Sequence, residues 1–237
     1  MYFLRISFII LFVFSFIGCS DDPVSSNNST VTDIDGNVYQ TVTIGTHVWM
    51  AENLKVTHYR NGDPIPNVTD NTEWSGLSTG AYCDYDNDIG NVAVYGRLYN
   101  WYAVDSSANI APEGWHVATE EEWQQLEVLI GISQATADSI GRHGTDEGGK
   151  LKESDTTHWF SPNTGATNES GFTALPGGCR DNAPANFMAL HICSFFWSSD
   201  EYDGDDALYR TMWYDESYLC CDPYDKGCGF SVRCVRD

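Results

Sequence analysis

The chain contains few basic residues. It holds 12 Lys and Arg residues against 34 Asp and Glu residues, for a formal net charge of −22. A field of this sign repels nucleic acid and anionic polysaccharide, so a nucleic-acid partner is excluded. Neutral glycans, cations and basic partners stay open as ligand classes, although an acidic surface also serves solubility alone.

The chain also lacks an apolar run long enough for a transmembrane helix. Its longest run, residues 6–17, follows Arg5 and is shorter than the roughly 20 residues that span a bilayer. The pattern predicts a lipoprotein signal peptide over residues 1–18. Gly18 and Cys19 at its end resemble a bacterial lipobox, which implies lipidation of Cys19. An uncleaved anchor, or a plain signal peptide with a chance cysteine, is the alternative.

A short acidic segment follows that cysteine. Residues 20–22, Ser-Asp-Asp, resemble the surface-export signal of Bacteroidetes lipoproteins, although a plain acidic tether would have the same composition. The resemblance implies a protein of the bacterial outer membrane that faces the cell exterior. Its partner there is the membrane itself, because more than one acyl chain gives stable anchoring.

Cys-x-x-Cys spacing is absent as well, which argues against a zinc site. Export places the chain where disulfides form. Seven cysteines remain besides the lipidation candidate, so at least one thiol stays free or pairs between chains, and the connectivity cannot be read from the sequence. The disulfide candidates are Cys83, Cys179, Cys193, Cys220, Cys221, Cys228 and Cys234.

No second linker interrupts the chain after its polar N-terminal segment. Residues 19–31 contain no aromatic side chain and are interpreted as the lipidated cysteine with a flexible tether, followed by one domain over 32–237. In that domain, alternating apolar residues on both sides of Gly45 predict a hairpin. A capping box from Thr119 to Glu122 predicts a helix, and a weaker helix is predicted near 133–140. The fold class is therefore α+β and loop-rich, with short antiparallel strands and one or two helices.

Several short sequence motifs of the chain occur together in one family. They are found at residues 35–39, 44–54, 95–104, 114–117, 171–178 and 229–237. Together they resemble the Fibrobacter succinogenes major paralogous domain, a family of secreted and lipoprotein domains, over nearly the whole chain after the tether. That family is in turn similar to the C-type-lectin-like and formylglycine-generating-enzyme folds.

The resemblance implies further features. The N- and C-terminal strands should lie side by side, and a binding face should lie at the end remote from the tether. Cys83 and Cys234 match positions where the family commonly has cysteine, which implies a bridge between them. Formylglycine-generating enzymes use a closely spaced copper-binding cysteine pair. Here Cys193 follows Cys179 by fourteen residues, so oxidase chemistry is disfavoured, and a disulfide between these two is the simpler interpretation.

One loop is a candidate calcium site. Asp84, Asp86 and Asp88 alternate along it, and calcium binds through several carboxylate and carbonyl oxygens of one loop. The EF-hand pattern fails because Ile89 occupies the glycine position. A solvated acidic loop is the competing interpretation, and no other cofactor is predicted.

The chain is rich in aromatic residues, with 8 Trp and 13 Tyr. Aromatic faces can form a platform for sugar rings, but these side chains can equally fill the core. We predict a surface-exposed, non-catalytic lipoprotein that serves as a binding or adhesion module for glycan or protein ligands. The alternatives are an enzyme of the formylglycine-generating type and a structural component of the cell surface.

Overall fold

The computed structural model describes residues 24–25 and 29–237, and within them the predicted α+β class is confirmed. The strands are β1 (Val24–Ser25), β2 (Thr30–Thr32), β3 (Val38–Ile44), β4 (His47–Met50), β5 (Tyr82–Cys83), β6 (Leu98–Tyr99), β7 (Trp115–Val117), β8 (Gly141–His143), β9 (Gly177–Arg180), β10 (Phe187–Leu190), β11 (Cys193–Glu201), β12 (Asp206–Trp213), β13 (Leu219–Asp225) and β14 (Cys234–Arg236). The α-helices are α1 (Asn71–Trp74), α2 (Val92–Tyr95), α3 (Trp101–Val104), α4 (Glu120–Leu129) and α5 (Gln134–Ala137). Short 3₁₀ helices cover Tyr85–Asn87, Ile89–Asn91 and Glu147–Lys150.

The first sheet joins the two ends of the domain. Its strand order is β1-β3-β4-β14-β7, and β2 also pairs with β3. The predicted hairpin is confirmed: β3 and β4 pair antiparallel across Gly45, whose φ of +62° suits a glycine in a tight turn. Val235 of the last strand pairs with Trp49 on one side and His116 on the other. The last strand therefore lies beside β4 of the N-terminal hairpin, and β3 separates β4 from β1 in the same sheet.

The segment expected to be a flexible tether is paired in part. Residues 24–25 form β1 against Thr43 and Ile44, and Thr30–Thr32 pairs with β3 from Val38 to Gln40. Backbone pairing with β3 therefore begins at residue 24, within the segment interpreted as a tether. An edge strand such as β3 carries free N–H and C=O groups that a neighbouring extended segment can pair. The predicted signal peptide (1–18) and Cys19 lie outside the described residues.

Helix α4 begins where its sequence predicts. The Thr119 side chain accepts from the Glu122 N–H, and the Glu122 carboxylate accepts from the Thr119 N–H, which completes the capping box. Glu122 also contacts His116 at 2.8 Å, and Asp237 contacts the other ring nitrogen at 2.7 Å. These hydrogen bonds raise the pKa of His116 to about 9, and the one with Glu122 has the largest effect. The weaker predicted helix is the single turn α5, which begins after Ser133.

The second sheet has the strand order β11-β12-β13-β8 and two unlike faces. One face, here called the closed face, carries Phe196, Arg210 and Met212 and is covered by α4 through Trp123. The other, the open face, carries Phe195, Trp197, Tyr209 and Trp213, because side chains alternate along each strand. Only part of the open face is covered by other elements of the domain.

Buried cations hold the long loops in place. Arg180 donates to the carbonyl groups of Val68, Thr69 and Ala185 and is fully buried. Irregular backbone has few ladder partners, so its buried carbonyls need side-chain donors, and a guanidinium offers five. Arg233 and Lys152 are also fully buried and donate to loop carbonyls in the same way.

This use of cations leaves few of them at the surface. Within residues 29–237, the exposed cations are Arg142 and Arg236. The outer surface is therefore even more negative in character than the net charge of −22 indicates. Among the described residues, no helix is long and apolar enough to cross a membrane.

Candidate functional site

An aromatic cavity opens on the sheet's open face, against the β9–β10 hairpin. It has a volume of about 240 Å³. We call it the aromatic groove, and its lining residues are Cys179, Asp181, Met188, Phe195, Tyr209, Trp213, Tyr224, Cys228 and Phe230. Five of the nine are aromatic, so a ligand in this cavity would meet mainly ring faces and edges.

The floor of the aromatic groove is a packed cluster of rings centred on Phe230. Its ring centroid lies 4.3 Å from that of Trp197 and 5.1 Å from those of Phe195 and Tyr209. The chain bearing Phe230 is fixed by hydrogen bonds with Tyr99 in both directions, at 2.9 and 3.0 Å. Phe230 is 1% exposed. The floor is therefore rigid and belongs to the core.

The rim of the groove differs from its floor. Trp213 is 38% exposed, and Met188 and Tyr224 are each 42% exposed. The Tyr224 ring is held by a T-shaped contact with Tyr209 at 5.6 Å and lies 5.8 Å from Phe230. A single exposed apolar side chain is ordinary, but three around one cavity form a patch of the kind that binds ligands.

One end of the groove is acidic. Asp181 and Tyr224 also line an adjoining depression of about 360 Å³ with Asn182, Asp206 and Asp225. We call the carboxylates of Asp181, Asp206 and Asp225 the acidic end. Among the described residues, no Lys or Arg lines this depression.

Hydrogen bonds fix two of the three carboxylates. The side-chain N–H₂ of Asn182 donates to both oxygens of Asp225 at 3.0 Å, and the N–H of Gly227 donates at 2.7 Å. Asp181 accepts from the Asn182 N–H at 2.8 Å. Asp206 stands directly opposite Asp225 in the ladder of β12 and β13. Burial first, and then the negative charges of its neighbours, raise the pKa of Asp206.

The seven cysteines within residues 29–237 are all free thiols in this structure. Cys83 packs in the cluster around Trp74, whereas Cys234 belongs to the large cluster with Phe230. The implied Cys83–Cys234 bridge is therefore absent here, and the separate clusters offer no support for it. The bridge between Cys179 and Cys193 is likewise not formed.

The thiols are poor candidates for nucleophiles. Burial raises the pKa of Cys179, which lines the groove, to about 12. Burial also raises the pKa of Cys228, and its thiol donates to Asp181 at 3.5 Å. A reactive cysteine needs the thiolate form, which an electropositive neighbour would stabilise. The groove presents a carboxylate instead, so its thiols stay protonated at neutral pH.

The three aspartates of the candidate calcium loop do not form a cluster. Asp84 is buried and paired with Arg97. Asp88 accepts from the Gly90 N–H at 2.8 Å, and Asp86 is exposed with a φ of 54°. Within the described part of the chain, no group of three His, Cys, Asp or Glu side chains could hold a metal ion. The buried carboxylate of this loop, that of Asp84, therefore already has a cation in Arg97.

The sequence indicated an aromatic platform without locating it. Trp213 and Tyr209 lie four residues apart on β12, at even spacing, which places both on one face of a strand. This alternation was the signal available for those two. Tyr224 lies on β13 opposite Ala207 of β12, and Phe230 is bridged to Tyr99. No local pattern shows either pairing.

These features define an α+β protein with a loop-rich domain and an open aromatic groove on its second sheet. The family model of the Fibrobacter succinogenes major domain matches residues 42–236. The chain therefore belongs to this family, which confirms the family resemblance of the sequence. No curated protein and no solved structure matches the chain significantly.

Proposed function

We propose that this protein is a non-catalytic binding module of the bacterial cell surface and that its aromatic groove binds glycans. The observation that carries the proposal is the exposed rim of Trp213 and Tyr224 above a rigid ring floor. Sugar rings have apolar faces that pack on aromatic side chains, and a preformed platform avoids the entropy cost of ordering them.

The charge of the protein supports the same ligand class. With a net charge of −22 and its cations directed inward, the surface disfavours anionic polymers. Neutral or basic glycans carry no such penalty. The non-catalytic character is supported by thiols whose pKa values burial raises.

The anchoring part of the proposal rests on the sequence. A signal peptide over 1–18 and lipidation at Cys19 would hold the domain at the outer membrane, facing outward. One sheet joins the N-terminal hairpin to the C-terminal strand, and long loops lie between them along the chain. A C-type-lectin-like or formylglycine-generating-enzyme-like arrangement would share these features. In such an arrangement the loops carry the binding face.

The test is a glycan array probed with residues 29–237, in the presence of calcium and of a chelator. We expect binding to a subset of neutral or basic glycans, unchanged by the chelator. Trp213→Ala should abolish it, while Tyr202→Ala, which removes a ring 53% exposed outside the groove, should not. An empty array, or equal binding by the Trp213→Ala variant, would contradict the proposal.

The array also separates the alternatives. Capture of an isolated surface protein with the glycans silent would favour a protein ligand. Copper-dependent oxidation of a thiol peptide would favour an enzyme of the formylglycine-generating type.

A further inference from the structure

Lys152 is a fully buried cation that contacts the backbone of the groove's rim. Its ammonium donates to three backbone carbonyls, those of Thr164, Trp213 and Glu216, at 2.9, 3.0 and 2.7 Å. An ammonium has three N–H donors, so these carbonyls use all of them. One carbonyl belongs to Trp213, whose ring forms part of the exposed rim. The buried charge therefore acts directly on the backbone of a residue that the proposed function places against a ligand.

Trp213 lies where β12 ends and an irregular turn begins. On the strand side, its partner in the ladder is Cys193 of β11. On the turn side, the Glu216 N–H approaches the Trp213 carbonyl at 3.3 Å, which is longer than the 3.0 Å contact from Lys152 and beyond the usual range for an N–H donor. The carbonyl of this rim residue therefore depends mainly on Lys152 for its position.

The segment that carries Lys152 is itself fixed. The Glu153 N–H donates to the Ala174 carbonyl at 3.1 Å, and the Ala174 N–H donates to the Leu151 carbonyl at 2.8 Å. The Lys152 ammonium also lies 5.3 Å from the centre of the Trp159 ring, within the range of a cation–π contact. Because both ends of the side chain are held, Lys152 couples this segment to the turn after β12.

Loss of the Lys152 proton would break this coupling. A neutral amine has only two N–H donors, so one of the three carbonyls would lose its donor. The bond to Trp213 is the longest of the three and is expected to be lost first. Burial lowers the pKa of Lys152 to about 8. The groups that act on it in the opposite direction are the carboxylates of Asp215 and Glu216 in the turn and the Cys193 thiol of β11.

We propose that Lys152 is a positioning residue for the aromatic groove: its ammonium orders the Trp213 backbone, and release of its proton loosens the rim and weakens ligand binding. This inference rests on the proposed function and adds regulation by pH to the same site. A ligand that needs the ordered rim favours the charged form of Lys152. Its affinity is therefore highest below about pH 8 and falls as the pH rises through that value.

The first measurement needs no ligand. The protein is labelled with fluorotryptophan, and the fluorine resonance of Trp213 is assigned from its absence in Trp213→Phe. We expect this resonance to shift with a midpoint at about pH 8 in the wild type and to stay constant in Lys152→Met. The resonance of Trp74 is the control, because that ring lies in the separate cluster with Cys83.

The second measurement is the affinity for cellohexaose, a neutral glycan, by calorimetry at about pH 7 and about pH 9.5. We expect the wild-type affinity to fall about tenfold at the higher pH, as for the loss of one hydrogen bond at the rim. Lys152→Met should bind weakly at both pH values. His116→Asn removes a group with a pKa of about 9 outside the groove and should keep the wild-type profile.

The two measurements separate this inference from the proposed function. A Trp213 resonance that stays constant in the wild type between about pH 6.5 and about pH 9.5, or that shifts equally in Lys152→Met, would overturn the positioning role even where cellohexaose binds. An affinity that does not change while the resonance shifts would overturn the regulation by pH.

A resonance that shifts only with Lys152 present, without cellohexaose binding at either pH, would keep the positioning of the ring but contradict the proposed function for this glycan. The wild-type titration decides the positioning role even where Lys152→Met does not fold, because it needs no variant at that position.

Discussion

The two faces of the β11–β12–β13–β8 sheet both carry aromatic and charged side chains, but they differ in how far those side chains are buried and paired. On the closed face, Arg210 is fully buried and bonded to Glu120 and Glu127 at 2.6–2.7 Å, while Trp123 of α4 covers the strands. On the open face, Trp213 and Tyr224 reach solvent at 38% and 42% exposure, and Asp181 lines the aromatic groove, which among the described residues has no Lys or Arg in its lining. One face neutralises every charge it buries, and the other leaves rings and charges available.

The difference separates stability from binding. Buried charged pairs stabilise only when every partner is present, because removal of one leaves an uncompensated charge. Exposed rings contribute less to folding and can therefore be used for a ligand. We expect substitutions on the closed face to change the free energy of unfolding, and substitutions on the open face to change ligand affinity.

The largest expected effect is that of Arg210→Ala. It leaves Glu127 buried beside Glu120 without their shared cation, and we expect a loss of about 3–5 kcal/mol in the free energy of unfolding. Urea denaturation measures it. Arg142→Ala is the control, because Arg142 is an exposed arginine on β8, two strands from β12 in the same sheet; it should cost less than about 1 kcal/mol. Similar losses for both variants would contradict a closed face held together by its ion pairs.

Trp213→Ala should have a smaller effect on folding. A fully buried Trp→Ala change costs about 3–5 kcal/mol, and at 38% exposure we expect about 2 kcal/mol. Its effect on glycan affinity should be larger than its effect on stability. A loss of stability as great as that of Arg210→Ala would make this ring a core element and would remove the contrast between the faces.

The third-largest expected effect on stability is that of removing the N-cap of helix α4. Thr119→Ala removes the hydroxyl that accepts from the Glu122 N–H, and we expect a loss of about 1 kcal/mol. Thr119→Ser keeps the hydroxyl and should restore most of it. Thermal unfolding followed by circular dichroism measures both. Equal stability of the alanine and serine variants would mean that tertiary packing alone positions α4.

The smallest effect is a pH dependence at His116. Its hydrogen bond with Glu122 raises the folded pKa to about 9, above the unfolded value of about 6.5. The stabilisation is therefore fully present below about pH 6.5 and is lost as the pH rises through about 9. Wild type and His116→Asn should differ by less than about 1 kcal/mol at pH 6 and converge near pH 10. A constant difference would contradict the charged pair.

Local patterns were predictable because their causes are local. The hairpin at Gly45 and the helix start at Thr119 depend on residues within a few positions of each other, and both are confirmed. The candidate calcium loop shows the limit of such patterns. Aspartates alternate along this loop, but the buried carboxylate of Asp84 already pairs with Arg97, thirteen residues further along the chain.

By itself, the sequence determined the α+β class, the family and the acidic charge balance, which disfavours anionic partners. Only the tertiary structure decided where the few cations lie and which rings stay exposed. Arg180 reaches Val68 across 112 positions, and Trp197 donates to the Tyr99 carbonyl across 98. Loop carbonyls and rings find such partners through packing, and no spacing along the chain encodes which carbonyl is left unpaired. The aromatic groove follows from the same cause, since its rim and floor come from segments brought together by strand pairing.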